Sequence, residues 1–131
     1  MSPIVEMSLR LVVAAALGAA IGFQREKAQR PAGLRTNALI CLGAALFTIS
    51  GVFAFPADQA RVAAGIVTGI GFLGAGAILH KDGGIVAGLT TAASIWTVAG
   101  IGLAVGAGQY VLALVTTALT VIILSLPHTF R

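Results

Sequence analysis

Thr36–Phe55, TNALICLGAALFTISGVFAF, runs for twenty residues without one charged side chain. Twenty residues of helix rise about 30 Å, the thickness of a bilayer's hydrocarbon core. The stretch is apolar on every face. A strand of a membrane barrel would instead alternate apolar and polar residues over about ten positions. A transmembrane helix is therefore expected at Thr36–Phe55, and the rest of the chain is read outward from it.

Four further segments have the same character: Ile4–Phe23 before it, and Val62–Leu79, Leu89–Val105 and Gln109–Leu126 after it. The breaks between them are polar or proline-containing. Gln24–Arg35 carries five charges and Pro31, Pro56–Arg61 carries Pro56 and Asp58, and His80–Gly84 carries Lys81, Asp82 and two glycines. Only Gly106–Gly108 separates the last two segments, so it is either a tight turn or the end of a short, partly re-entrant fourth span. Pro127 closes the fifth, because proline stops a helix. Met1–Arg10 has no net positive charge and four more spans follow, so an uncleaved first span is expected rather than a signal peptide.

Composition points the same way. The chain of 131 residues is 58% hydrophobic and 9% charged, with 17 glycines. A soluble domain this small needs a polar shell, and soluble domains average about 25% charged residues. The hydrophobicity excludes disorder, and a single cysteine excludes a disulfide scaffold. The expected fold class is all-α: a polytopic membrane helix bundle of about five transmembrane helices with tight, glycine-rich packing, in one domain over residues 1–131.

The formal charge of +4 then reads as a topological signal. Cytoplasmic loops carry an excess of Lys and Arg. Arg25, Lys27, Arg30 and Arg35 in the first loop place that loop inside, the N-terminus outside and the C-terminus inside. Lys81 and Arg131 fall inside with them, and only Arg10 and Arg61 outside. Most of the basic residues lie in one loop beside the membrane, so nucleic acid is not an expected partner. That loop should favour anionic lipid, by about 1 kcal/mol per basic residue near the surface.

The third segment holds Gly65, Gly69, Gly71, Gly74 and Gly76. Gly69, Gly71 and Gly74 satisfy G-x-G-x-x-G, but a dinucleotide site needs a preceding strand and a βαβ unit, and this motif sits inside an apolar span. Close helix packing explains it better, since small residues let lipid-embedded helices approach. Ala14, Gly18 and Gly22 repeat the spacing of four, as do Gly102 and Gly106. The functional alternative is a broken third span offering backbone carbonyls to a ligand. Thr68–Gly76 also weakly resembles Ala99–Gly108.

Ionisable residues at a membrane are candidates for function. Glu26 is the one acid in the basic first loop, and a local ion pair is its plainer reading. Arg35 opens the second span beside Asn37, and either snorkels to headgroups or pairs with Glu26. Asp58 stands at the distance of an N-cap from the third span, with Arg61 in the first turn. Arg10 is expected to reach the outer interface. The hydroxyls inside the spans are expected to bond their own helix backbone, but Thr90, Thr91 and Ser94 cluster at the start of the fourth span and form the best set for lining a path. Trp96 is read as a packing residue. His80 and His128 give no convergent ligand set for a metal. No P-loop, metalloprotease helix or nucleophile–base pair with an orienting acid is present, so an enzyme is not expected.

Four strings occur in order: Gly22-Phe23-Gln24-Arg25-Glu26, Ala32-Gly33-Leu34-Arg35-Thr36, Gly69-Ile70-Gly71-Phe72-Leu73-Gly74-Ala75-Gly76 and Gly88-Leu89-Thr90-Thr91-Ala92-Ala93. With them, the chain from about Leu17 to Tyr110 resembles the MgtC/SapB family of bacterial inner-membrane proteins. Asp58 and Arg61 match that family's entry to its third span. The resemblance implies five helical spans, a link to growth at low magnesium and, in pathogens, to survival inside host cells. It raises two functions. One is magnesium transport. The other is regulation of other membrane proteins, the ATP synthase among them, without transport. Many members continue into an ACT-like cytoplasmic domain. Here the chain stops at Arg131, four residues past Pro127, so the ACT-like domain is expected to be absent.

Magnesium keeps its waters and prefers octahedral oxygen ligands. The four acids, Glu6, Glu26, Asp58 and Asp82, all fall near span ends or in loops. A single chain is therefore a poor magnesium channel, and a pore is expected only at the axis of an oligomer. No cofactor is expected, magnesium being the one ion the resemblance raises. The expected partners are the lipid bilayer, further copies of the chain in a homo-oligomer such as a dimer, and other membrane proteins.

Overall fold

The computed structural model describes residues 2–81 and 85–127. Five helices follow one another: α1 (Pro3–Lys27), α2 (Leu34–Ala54), α3 (Gln59–Ala77), α4 (Leu89–Gly106) and α5 (Tyr110–Leu124). A single 3-10 turn, Pro56–Asp58, precedes α3. Two short strands, β1 (Leu79–Lys81) and β2 (Ile85–Ala87), pair antiparallel between α3 and α4, with His80 opposite Val86. α1 to α4 are long and apolar enough to cross a membrane. The 15 residues of α5 rise only about 22 Å, short of the expected fifth span. The helix starts after the Gly108 turn and stops at Leu124, because Pro127 pushes the residue before it out of the helical region.

α1 starts well. Pro3 stands where a missing N–H costs nothing, and Ser2 Oγ accepts from the Val5 N–H. The turn from α4 to α5 is tight, which settles the question left open at Gly106–Gly108. Gly108 takes a left-handed φ of 83°, its N–H bonds the Val105 carbonyl, and the Gln109 N–H bonds Ala104. α3 is continuous from Gln59 to Ala77, so the broken span considered above is not found.

α4 is the central helix. It packs against each of the other four, and ten of its eighteen residues are buried. In α3 only Ile66, Ile70 and Gly74 are buried, which makes it peripheral. The glycines divide accordingly. A Cβ on Gly18 would strike the Asn37 carbonyl and Cys41, and one on Gly22 would strike Gly33 and Leu34, so α1 and α2 touch backbone to backbone. Gly102 meets the Cys41 carbonyl and Gly106 the Ala45 carbonyl, which brings α4 equally close to α2. The α3 glycines differ. Gly65, Gly69, Gly71 and Gly76 have nothing within 4 Å of a Cβ, and Gly74 meets Ala92 only at ordinary contact distance. Close packing thus runs through α1, α2 and α4, because α3 lies on the rim and no neighbouring helix comes within contact of Gly65, Gly69, Gly71 or Gly76.

Arg10 does not reach for the interface. Its Nη1 donates to the Gly106 carbonyl at 2.7 Å, and its Nη2 bridges to Glu6 at 2.7 Å. The guanidinium so satisfies a last-turn carbonyl of α4, where a cation is favoured. Arg10→Met is expected to cost about 1–2 kcal/mol, the scale of polar bonds between membrane helices. Unfolding by sodium dodecyl sulfate against the wild type measures it. Trp96 is 59% exposed and lines a groove of about 400 Å³ between α3, α4 and α5, so it does not fill the core.

Candidate functional site at the elbow end of the bundle

The connection from α1 to α2 turns within six residues, Ala28–Gly33. Gln29 and Ala32 both take left-handed backbone there, with φ of 57° and 59°. For residues with a Cβ this conformation is disfavoured, so neighbouring groups must hold it. Asn37 supplies the clamp. It is fully buried, and its Nδ2 donates to the Ala32 carbonyl at 2.6 Å and to the Gly33 carbonyl at 3.0 Å.

Glu26 supplies the second hold. Gly33, at the N-cap of α2, has no side chain to offer. Instead Glu26 Oε1, eight residues upstream, accepts from the Leu34 N–H at 3.0 Å. The carboxylate lies at the positive end of α2, where an anion is stabilised. It pairs with no basic residue among the described residues, which differs from the local ion pair expected for it. Arg35 is exposed and makes no ion pair with Glu26. Glu26→Ala is expected to cost about 0.5–2 kcal/mol, as a lost N-cap does, and Glu26→Gln less. Thermal unfolding in detergent separates the two.

Arg25 is the residue the sequence concealed. Placed by its neighbours in a charged loop, it lies in the last turn of α1 and is only 4% exposed. Its Nη2 donates to Thr91 Oγ1 at 2.6 Å, joining the end of α1 to the start of α4. Its Nε is buried without a partner among the described residues. The buried residues of α1 are Ala14, Gly18, Ile21, Gly22 and Arg25. The stripe of small residues, extended by three positions from Gly22, ends on this arginine.

The hydroxyl cluster is partly assembled. Thr91 and Ser94 are buried, and the Ser94 hydroxyl donates to the Thr91 carbonyl, while Thr90 is exposed. Thr48, Thr97, Thr117 and Thr120 bond carbonyls of their own helices, as expected for hydroxyls in lipid. Beside Arg25, Gln24 donates to the Leu124 carbonyl at 3.3 Å and ties α1 to the end of α5. Asp58 and Arg61 lie at the far end, both exposed. Asp58 holds the N-cap position of α3, but its side chain makes no capping bond, because the preceding 3-10 turn already changes the approach of the chain. Asp82, His128 and Arg131 lie outside the described residues, as do the side chains of His80 and Lys81.

The elbow end therefore gathers Arg25, Glu26, Asn37, Thr91 and Ser94, and leaves Asp58, Arg61 and the α3 glycines elsewhere. No group of three His, Cys, Asp or Glu side chains converges to hold a metal among the described residues. The arrangement holds helix ends together and concentrates positive charge, with Lys27, Arg30 and Arg35 exposed around it.

Comparison with known proteins gives consistent results. The family model described as “MgtC family” matches residues 11–131. The chain is 53% identical over 109 residues to “Protein MgtC” of Salmonella typhimurium, covering 83% of this chain and 47% of that protein. It is 43% identical over 137 residues to “Putative magnesium transporter YhiD” of Escherichia coli K12, covering 96% of this chain and 63% of that one. An uncharacterized protein of Haemophilus influenzae is 40% identical over 123 residues, covering 86% of this chain and 52% of its own length. The chain spans about half the length of the first of these relatives. No solved structure matches it. Four apolar helices of spanning length and a family match over nearly the whole chain make this a multi-pass membrane protein that belongs to the MgtC family.

Proposed function

We propose that this chain is the membrane domain of a bacterial inner-membrane protein of magnesium homeostasis, and that it is not an enzyme. Its N-terminus lies outside, and the elbow and the end of α5 face the cytoplasm. The magnesium named for YhiD supports the ion, and the basic elbow supports the orientation.

The position of the acids carries the mechanism. Glu6, Glu26 and Asp58 stand at helix ends. Between them the bundle is filled by Ala14, Cys41, Ala45, Val98, Ile101 and Val105. A hydrated magnesium ion needs oxygen ligands or a wet path, and these residues offer neither. The chain by itself acts in magnesium homeostasis without conducting the ion through its own bundle. Proteoliposomes of the full chain loaded with a magnesium-sensing dye are expected to show no flux above empty vesicles. Flux that Glu26→Ala or Asp58→Ala abolishes would establish transport instead. In a strain lacking its own family members, the chain is expected to restore growth at low magnesium. No restoration by a membrane-inserted chain would remove the magnesium link.

A second reading is favoured by the open glycines. Gly43 on α2 and Gly65 and Gly69 on α3 line an apolar groove of about 610 Å³ and have nothing within 4 Å of a Cβ. Such a face suits the docking of a helix from another membrane protein, which the chain would then regulate. Gly69→Leu is expected to reduce co-purification of such a partner while the protein stays inserted. Unchanged recovery counts against this reading.

A further inference from the structure

Charge is divided unevenly between the two ends of the bundle. Glu6, Arg10, Asp58 and Arg61 stand at the end that holds the α4–α5 turn, two acids against two bases, and Arg10 and Glu6 are paired at 2.7 Å. The elbow carries Arg25, Lys27, Arg30 and Arg35 against Glu26 alone, a surplus of three positive charges. The hairpin between α3 and α4 contributes one residue of each sign, Lys81 and Asp82, so the surplus does not depend on where those two side chains lie. Arg25 is buried, whereas Lys27, Arg30 and Arg35 are exposed and enter no ion pair among the described residues. Glu26 is committed to the Leu34 N–H.

These cations border an apolar shelf. Residues four apart share a helix face. Phe23 lies one turn from Lys27 on α1, and Leu39 one turn from Arg35 on α2, each about 6 Å further from the elbow. Phe23 is 59% exposed and Leu39 67%. The two faces are neighbours. A Cβ on Gly22 would strike the backbone of Gly33 and Leu34, and Phe23 and Arg35 directly follow Gly22 and Leu34 in the chain. Arg30 is held in the turn between them by its N–H on the Arg25 carbonyl at 2.8 Å. Cations at the membrane surface, with exposed apolar side chains one turn deeper, match the layers of a phospholipid. The phosphate accepts from Lys and Arg, and the acyl chains cover the apolar groups.

We infer that the α1–α2 elbow is a selective site for an anionic phospholipid of the surrounding leaflet. The lipid phosphate accepts from Lys27, Arg30 and Arg35, and the acyl chains lie along Phe23 and Leu39. An acidic soluble protein would meet the same three charges, but Phe23 and Leu39 stand below the surface, where lipid reaches them and a soluble partner does not. The site is independent of the magnesium reading, since it rests on the elbow alone.

The test reconstitutes the full chain in mixed bilayers of phosphatidylcholine and phosphatidylglycerol with the same acyl chains, brominated on one lipid or the other. The chain has a single tryptophan, so Trp96→Phe removes the native signal and Phe23→Trp sets a reporter at the site. Bromine quenches only a tryptophan it touches, and quenching against composition gives the relative affinity of the two lipids at that position. Phosphatidylglycerol is expected to bind at position 23 about fivefold more tightly or better, the effect of one basic residue at an anionic surface. Phe55→Trp in the same background reports the opposite end, where acids and bases balance, and is expected to show a preference within about twofold. Lys27→Gln, Arg30→Gln and Arg35→Gln together are expected to bring the preference at position 23 down to that level. Equal binding of the two lipids at position 23 overturns the inference and leaves the surplus charge to an acidic protein. So does an equal preference at positions 23 and 55, or one that survives the three substitutions in a folded protein. The comparison of positions 23 and 55 needs no charge variant, so it decides the matter even where the triple variant fails to fold.

Discussion

Gly102→Val is expected to abolish recovery of the folded bundle, while Gly69→Val leaves the monomer fold intact. A Cβ at Gly102 would enter the Cys41 carbonyl of α2 and stand 2.9 Å from the Ala44 Cβ. Neither neighbour can yield as a flexible side chain would, because one is backbone and the other is the whole of its side chain. Overpacking typically costs about 1–3 kcal/mol, and a backbone collision at the central helix belongs at or above the upper end. At Gly69 there is nothing within 4 Å to strike, and valine is tolerated in a helix that lipid surrounds. Unfolding in mixed micelles and the fraction of monodisperse protein after extraction measure both variants. Equal yields would mean that the α2–α4 crossing is not as close as described.

Asn37→Asp is expected to be the second most damaging change, and more damaging than Asn37→Ser. The aspartate keeps the shape but cannot donate. It sets a carboxylate against the Ala32 and Gly33 carbonyls that Asn37 now holds at 2.6 and 3.0 Å. A buried polar group left without its bond costs about 1–3 kcal/mol, and two bonds are lost here together with a new repulsion. The expected loss is about 3 kcal/mol or more. The left-handed turn at Ala32 then loses its clamp, so proteolysis between Ala28 and Gly33 should accelerate in parallel with the loss of stability. An Asn37→Asp protein as stable and as protease-resistant as the wild type would remove Asn37 from this role.

The helices were legible because lipid imposes a simple rule. Every backbone group must bond within its own segment, so runs such as Thr36–Phe55 have one available structure. The break at Gly106–Gly108 and the stop at Pro127 were likewise legible from local stereochemistry. The tertiary roles of charged residues were less so. Arg10 and Arg25 look like loop or interface residues when judged by neighbours in sequence. They continue the same face as Ala14, Gly18 and Gly22, four residues before the first and three after the last. Following that face outward finds both, and judging hydrophobicity residue by residue misses both. Glu26 was visible as the one acid of the elbow, but its bond to Leu34 depends on how the chain turns, which the sequence does not display. The α3 glycines misled for a related reason. Spacing alone reports that a helix is able to approach another closely, and does not report whether the helix lies at the centre or the rim.

The same geometry links the two ends of the bundle to function. Arg10 fastens α1 to the end of α4 at one end, and Arg25 fastens α1 to the start of α4 at the other. Between them the Gly18, Gly22, Gly102 and Gly106 contacts keep α1, α2 and α4 rigid. α3 adds only Ile66, Ile70 and Gly74 to the buried interior and keeps its other glycines open.

Site-directed labelling tests the central claim, a bundle threaded through the membrane with its elbow in the cytoplasm. In a Cys41→Ser background, a single cysteine is placed at Arg30 in the elbow or at Gln109 in the turn between α4 and α5. Intact cells with a permeabilised outer membrane are treated with a maleimide that cannot cross the inner one. Labelling is expected at position 109, and none at position 30 until the cells are lysed. Labelling at position 30 from outside, with position 109 protected, would contradict that threading.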